Sequence, residues 1–444
     1  MYFTMVSSLM LTFLVFDNSV AHSQSHFEQD FDFFWETFNN EYAYFDEKLT
    51  NWDQVKTIYK PQITSAQTST DFINILEYVL EELYDDHIAL TTHTPVSPHI
   101  VPARTDIWAE WIKGKAIITA IRPGFPADSV SLRPGMEILR FNGMPIKEAV
   151  HKRIGKSFTR IDRSIENWTL RKILAGHRNQ TRTIEIKRYS EINVVSISPE
   201  LFDHAYDEQY QTKLDYRVLD TRIGYLAINT SLDDELVADF DASLKELSDT
   251  EGLIIDLRKV GGGHTGGIEG IIGRLIDRER VYQKTVPRNG DPYLSRVYPR
   301  GDWHFNRPIA NWLNHFVSQI LPTFNWHYKQ PIVILVNPWT GSAGEGVAIS
   351  LEVLGRATVV GTKMAGLDGS VYTMQMPHTE IGFQISKQKV FNGTLQGDLP
   401  TSEFIGSSRK EYTPSVLIDL SAEEYNDSKD PILKKGLEVL MMLL

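Results

Sequence analysis

The chain has 444 residues, 42% hydrophobic and 11% aromatic, with a formal net charge of −12 and no cysteine. That is enough apolar material for more than one packed domain, and the acidic balance excludes nucleic acid as the main partner. The lack of cysteine excludes a thiolate nucleophile, cysteine-held zinc and disulfides.

The first element is a short apolar run, "MVSSLMLTFLVF", followed by Ser19-Val20-Ala21. Its length and small-residue ending are those of a cleaved leader, although no Lys or Arg precedes the run. We expect residues 1–23 to be a signal peptide. The mature protein is then exported, periplasmic or extracellular, with no stable membrane insertion after cleavage. Residues 24–98 read as a helical domain. "FEQDFDFFWETFNNEYAYF" is aromatic-rich at helical spacing, and "STDFINILEYVLEELYDDH" opens on a Ser/Thr-Asp cap signal and runs to about Asp85-Asp86-His87.

From 99 to 190 the pattern changes to short strands. "AIITAIRPGFPADSVSLRPGMEILRFNGMPI" holds an apolar strand, a Pro123-Gly124 break and an Asn142-Gly143 hairpin signal. "IKEAVHKRI" follows as a short helix and "RTIEIKR" as a closing strand. This order resembles a PDZ domain, with Met136 where Asp is usual. The resemblance implies a peptide partner captured at a sheet edge.

Residues 191–444 alternate strands and helices as an α/β core with at least partly parallel strands. "IGYLAINT", "GLIIDLR", "PIVILVN" and "ATVVG" are strands; "ELVADFDASLKELSD", "GGIEGIIGRLI" and "SAGEGVAISLEVL" are helices. An aromatic-rich insert, "QKTVPRNGDPYLSRVYPRGDWHFNRPIANWLNHF", interrupts them.

Two loops of the core carry candidate chemistry. After Asp256-Leu257-Arg258 come Gly261, Gly262 and Gly263 ahead of a helix. Such a run lets backbone amides converge on an anion, a phosphate or an oxyanion, or simply makes a tight turn. No Gly-Lys-Ser/Thr follows, so it is not a P-loop. In "PWTGSAGEG", Ser342 sits at a strand-to-helix junction, with Thr340 where a hydrolase elbow has its first Gly. Ser342 is there as a nucleophile or as a helix cap. The Ala343 amide and one of Gly261 or Gly262 would serve an oxyanion. Of the thirteen histidines only His22 and His26 stand at H-x-x-x-H spacing, just past the leader, and no H-E-x-x-H occurs, so no metal and no cofactor is expected.

In chain order, "FDFFWETFNNEYAYF", "LYDDHIAL", the PDZ-like stretch, "IGYLAI", "LIIDLRKVGGG", "PIVILVNPWTGSAGE", "ATVVGTKMAGLDG" and "DPILKKGLEVL" resemble the S41 peptidase family. That family includes the C-terminal processing peptidases and the tricorn protease core. The resemblance implies a multidomain α/β fold: an N-terminal helical segment, a PDZ-like β-domain and a crotonase-like α/β catalytic core. It implies a serine-type peptidase acting on unfolded protein or peptide, with Ser342 as nucleophile and Ala343 with Gly261 or Gly262 as oxyanion hole.

The processing branch takes its base from a lysine in a segment that reads "TKMAGLDG" here, with Leu367 and Asp368 at the expected place and Lys363 outside the alignment. The tricorn-like branch takes a histidine, which falls on His87; His93 and His264 are rivals. Asp86 stands beside His87 where that branch has Ser, and Ser415 replaces an Asp further on. Glu403 is our choice for the acid and Glu411 the runner-up. The alternative is an inactive member of the family that binds a peptide or an apolar ligand, as a retinoid carrier of the same fold does. An esterase is a third reading.

Overall fold

The structure is a computed structural model, and it describes residues 25–219, 222–299, 327–397, 403–419 and 430–444. The expected leader, 1–23, lies outside the described residues, as does the second half of the aromatic-rich insert, from residue 300 on. Among those residues no helix is long and apolar enough to cross a membrane.

Three helices come first, His26–Glu41, Trp52–Ser65 and Ser69–Glu81. The first and third start with capping boxes, Ser25 with Glu28 and Thr68 with Asp71, which satisfy amides that have no partner within the helix. Their inner faces pool aromatic rings: Phe34, Phe38 and Trp52 are buried together with Phe383 from the far end of the chain. The third helix stops at Glu81, short of the run to His87 that periodicity predicts. Glu82, fully buried, accepts hydrogen bonds from Tyr59, from the Lys156 and Ser157 amides and from the Ser157 hydroxyl. That tie carries the chain off the helix axis, and Tyr84 follows with a φ of +35°.

The next segment is an antiparallel sheet in the order Ile107–Ile112, Lys115–Ile121, Glu137–Phe141, Arg182–Arg188, Glu191–Ile197. The hairpin signal is realised: Asn142 and Gly143 both have positive φ, +46° and +79°, and Phe141 pairs with Met144. The last strand carries this sheet past residue 190 to Ile197. A helix that strand-like composition conceals, Arg163–Ala175, packs beside Ile107–Ile112.

The core holds a six-stranded sheet in the order Val416–Leu417, Thr358–Gly361, Ile332–Val336, Gly252–Asp256, Ile223–Ile228, Leu214–Val218. All neighbours are parallel except the last pair. Leu226, Ile255 and Ile334 point to one face and pack with the helices Leu236–Glu246, Thr265–Gly273 and Ala343–Val353. Tyr225, Ile254 and Val333 point to the other, under Pro431–Leu443. Both faces are covered, as the unbroken apolar strands require.

A third sheet gathers around the long strand Gly382–Leu395. It pairs with Arg280–Pro287, Ser370–Gln375 and Phe404–Ser407, and with the two-residue strand Ala89–Leu90. That short strand matters most for the site, because it pins the segment containing His87 onto the core: Ala89 pairs with Gln384 and Leu90 with Phe383.

Candidate active site

Strand Ile332–Val336 ends in a turn that builds itself. The Thr340 amide donates to the Asn337 carbonyl (3.0 Å), the Asn337 amide to Thr340 Oγ1 (3.1 Å), and the Trp339 amide to Asn337 Oδ1 (2.9 Å). Thr340 Oγ1 donates across to the Leu257 carbonyl (3.0 Å), and the Gly341 amide to the Val260 carbonyl (2.9 Å). Thr340, which breaks the elbow motif, is thus a buried tie between the two candidate loops. Ser342 follows with φ +49° and ψ −110°, at the head of helix Ala343–Val353. A residue with a Cβ adopts such angles only where its surroundings fix them.

The glycine run lies against it. A Cβ on Gly262 would sit 3.5 Å from Ser342 Cβ and 3.9 Å from its Oγ. A Cβ on Gly341 would meet the Gly261 carbonyl at 2.8 Å, and one on Gly344 the Val260 carbonyl at 2.8 Å. The loops therefore cross backbone to backbone. Among the described residues, no hydrogen bond engages the amides of Gly261, Gly262 or Ala343.

Under the junction lies Glu345, fully buried. Its Oε2 accepts from the Ser342 amide (2.7 Å) and the Leu367 amide (2.9 Å), and its Oε1 from the Gly366 amide (2.8 Å). Burial pushes its pKa up to about 7 against the pull of Arg409 and these amides.

His87 reaches the same loop. Its Nδ1 lies 2.7 Å from the Asp368 carbonyl oxygen. A carbonyl only accepts, so Nδ1 carries the proton and Nε2 keeps its lone pair. One residue back, the Leu367 amide bonds the Glu345 oxygen that also takes the Ser342 amide. Imidazole, loop and nucleophile candidate are thereby joined by one short relay. Burial holds the pKa of His87 down to about 4, with the Arg409 charge adding to it and the bond to Asp368 opposing.

The adjacent carboxylates do not touch the ring through that relay. Asp85 Oδ1 accepts from the His87 backbone amide (2.8 Å), while its other oxygen takes the Tyr42 hydroxyl (2.5 Å). Burial works against its charge, but Lys48, Tyr42 and the His87 amide outweigh this and hold its pKa below the usual value. Burial raises Asp86 to about 6.

The segment expected to lack a base thus contributes differently: Asp368 offers a main-chain carbonyl. Its side chain accepts from the Arg409 amide (2.7 Å), and burial lifts its pKa to about 6. Arg409, buried, donates through Nη1 to the Leu367 carbonyl (2.8 Å) and through Nε to Asn392 Oδ1 (3.2 Å), and so clamps the loop. Sequence reading missed Arg409 and the role of Glu345. Glu345 carried a signal, the third position after a capping serine; Arg409 carried none.

The remaining candidates lie elsewhere. Glu403 is exposed at the start of strand Phe404–Ser407, its carbonyl accepting from the Gln396 amide (2.8 Å). Glu411 is exposed, with its amide on Ser408 Oγ (3.3 Å). Among the described residues neither side chain is bonded to His87 or Ser342. His93 Nδ1 lies 3.6 Å from Glu77, and His264 is exposed at the head of helix Thr265–Gly273.

Comparison with known proteins adds the following. Residues 222–396 match the profile of Peptidase family S41, and residues 23–81 that of the Tricorn protease C1 domain. A carboxy-terminal processing protease, CtpB of Bacillus subtilis (strain 168), is 28% identical over 185 residues, 40% of this chain and 34% of that protein, so the match spans about a third of the relative. Mature CPAF complexed with lactacystin superposes with a TM-score of 0.58 at 16% identity, covering 94% of this chain and 98% of that one. The photosystem II D1 C-terminal processing protease does so at 0.54 and 14%, covering 93% and 97%. At these identities the structural likeness is one of fold.

Proposed function

Because the chain belongs to peptidase family S41, we propose that it is a serine-type peptidase in which Ser342 is the nucleophile and His87 the base. The observation that carries this reading is the conformation of Ser342, at φ +49° beside Gly262, with the nearby Ala343 and glycine amides unengaged among the described residues.

The chemistry follows from the atoms. Ser342 Oγ attacks the scissile carbonyl carbon as its proton passes to His87 Nε2. The oxyanion that forms is taken by the Ala343 amide and by that of Gly262 or Gly261. The imidazolium keeps its Nδ1–H on the Asp368 carbonyl, then gives the Nε2 proton to the leaving amine. Water repeats the sequence on the acyl-enzyme with His87 again as base. A carbonyl rather than a carboxylate orients the base in this scheme. Glu403, exposed on its hairpin, is left without a catalytic part in it.

The sheet from Ile107 to Ile197 takes the place of the PDZ-like domain in this reading, holding an unfolded protein or peptide for cleavage. The run before Ala21 supports export. Cleavage of unfolded protein and of peptides by the parent, Ser342→Ala and His87→Ala tests the assignment. Loss of at least about a thousandfold in kcat is expected for each. Parent-like cleavage by both variants would sink it and leave the binding-protein reading. Faster turnover of esters alone would favour an esterase.

A further inference from the structure

Trp339, in the same turn as Ser342, has no part in the chemistry above, yet it is buried away from its own domain. Its ring is 2% exposed and packs with Trp108, Ala120 and Ala175 from the small sheet and its helix and with Val101 from the turn before the sheet. Its Nε1 donates to the Thr105 carbonyl at 2.8 Å. An indole bonded at its one polar atom and enclosed on its faces has a fixed orientation.

Both ends of this contact are stiff. On the receiving side Thr105 is folded back on Pro102 by its amide (3.1 Å) and its hydroxyl (3.0 Å). Asp106 next to it is buried in an ion pair with Arg182 (2.7 Å). On the donating side the Trp339 amide is held by Asn337 Oδ1, and Thr340 is tied to Asn337 and Leu257. A shift of the ring therefore moves the whole turn, and Ser342 is three residues from the ring. Ser342 itself holds angles that an L residue keeps only under constraint from its surroundings.

We propose that Trp339 is a positioning residue for Ser342. Its ring, seated in the Val101–Trp108–Ala120–Ala175 pocket, fixes the turn that presents the hydroxyl, so that the small sheet is a working part of the catalytic centre. The inference rests on the reading of Ser342 as nucleophile. It goes further by giving the small sheet a function that needs no bound peptide.

The test compares the parent with Trp339→Ala, Trp339→Phe and Ala175→Met, the last filling the pocket from the other side and leaving the turn unchanged in sequence. Peptide cleavage gives kcat and KM, and the rate of labelling by a fluorophosphonate reports Ser342 alone. A nucleophile displaced by about 1 Å loses about a hundredfold in rate. The expected result is a kcat and a labelling rate reduced about a hundredfold in Trp339→Ala and Ala175→Met, with KM within about threefold of the parent. Trp339→Phe, which keeps the ring and loses the bond to Thr105, should recover to within about tenfold of the parent.

If Trp339→Ala fails to fold, as circular dichroism would show, Trp339→Phe and Ala175→Met decide. A folded variant of either kind with parent-like kcat and labelling overturns the inference, since a merely structural ring would lower the melting temperature and spare the turnover of folded molecules. A parent that is not labelled at Ser342 overturns the nucleophile reading and this inference with it. Equal labelling of parent and Trp339→Ala overturns this inference alone.

Discussion

His87 is neutral far below the pH at which a free imidazole takes its proton, because burial and the Arg409 charge disfavour the cation and hold its pKa down to about 4. The neutral ring is the working form of a general base. Activity then rises as pH rises through about 4 and is flat from there toward neutrality as far as this group is concerned. The profile of kcat/KM against pH checks this: the His87 limb is expected near 4, apart from any limb that Glu345, Asp86 or Asp368 adds between about 6 and 7, and a profile with no limb near 4 would contradict it. The sign for stability is the same. A folded pKa depressed below the unfolded one means that the neutral ring contributes stability above about 6.5, and that this is lost as pH falls toward 4.

At the scale of elements, the two loops are built so closely that their glycines are not equivalent. Gly263 has φ +151°, and a Cβ there would lie 2.2 Å from the Leu232 carbonyl, so Gly263→Ala should cost about 3 kcal/mol in urea unfolding. Gly262 has room for a methyl group, at ordinary contact distance from Ser342. Gly262→Ala should leave stability within about 1 kcal/mol while lowering kcat at least about tenfold, because the methyl group fills space beside the hydroxyl. Equal losses of stability in the two variants would contradict this.

Such loops are what a sequence can show. The glycine run, the serine junction, the Asn142-Gly143 turn and the alternation of buried strands all have local causes, and each was readable. The relay from His87 through Asp368 and Leu367 to Glu345 was not. It depends on the pairing of Ala89–Leu90 with a strand about three hundred residues away, and no short motif encodes that register. The acid was sought in Glu403 and Glu411 for the same reason: with only a family pattern to follow, nothing local showed that a main-chain carbonyl stands at the imidazole. The overlong reading of the third helix has a similar origin, because Glu82 leaves the helix to satisfy a loop of the next domain.

The whole molecule brings three bodies to one place, and buried polar contacts join them beside the apolar packing. Glu82 ties the helical segment to Lys156 and Ser157, in a loop beside the small sheet, Trp339 ties the core to the Thr105 carbonyl just before that sheet, and the Ala89–Leu90 strand ties the helical segment to the core. Removing the Glu82 carboxylate strands two buried amides and two hydroxyls, each worth about 1–3 kcal/mol. Glu82→Ala should therefore lower unfolding stability by about 3 kcal/mol or more, and a loss under about 1 kcal/mol would show that the bodies do not depend on this tie. In the proposed mechanism these contacts bring His87, from the first hundred residues, to the loop that is linked through Glu345 to Ser342. The central claim is met most directly by reacting the intact protein with a fluorophosphonate and mapping the adduct by mass spectrometry, in the parent and in His87→Ala. The account predicts one adduct, on Ser342, formed at least about a hundredfold more slowly without His87; an adduct on another residue, or an undiminished rate in His87→Ala, would contradict it.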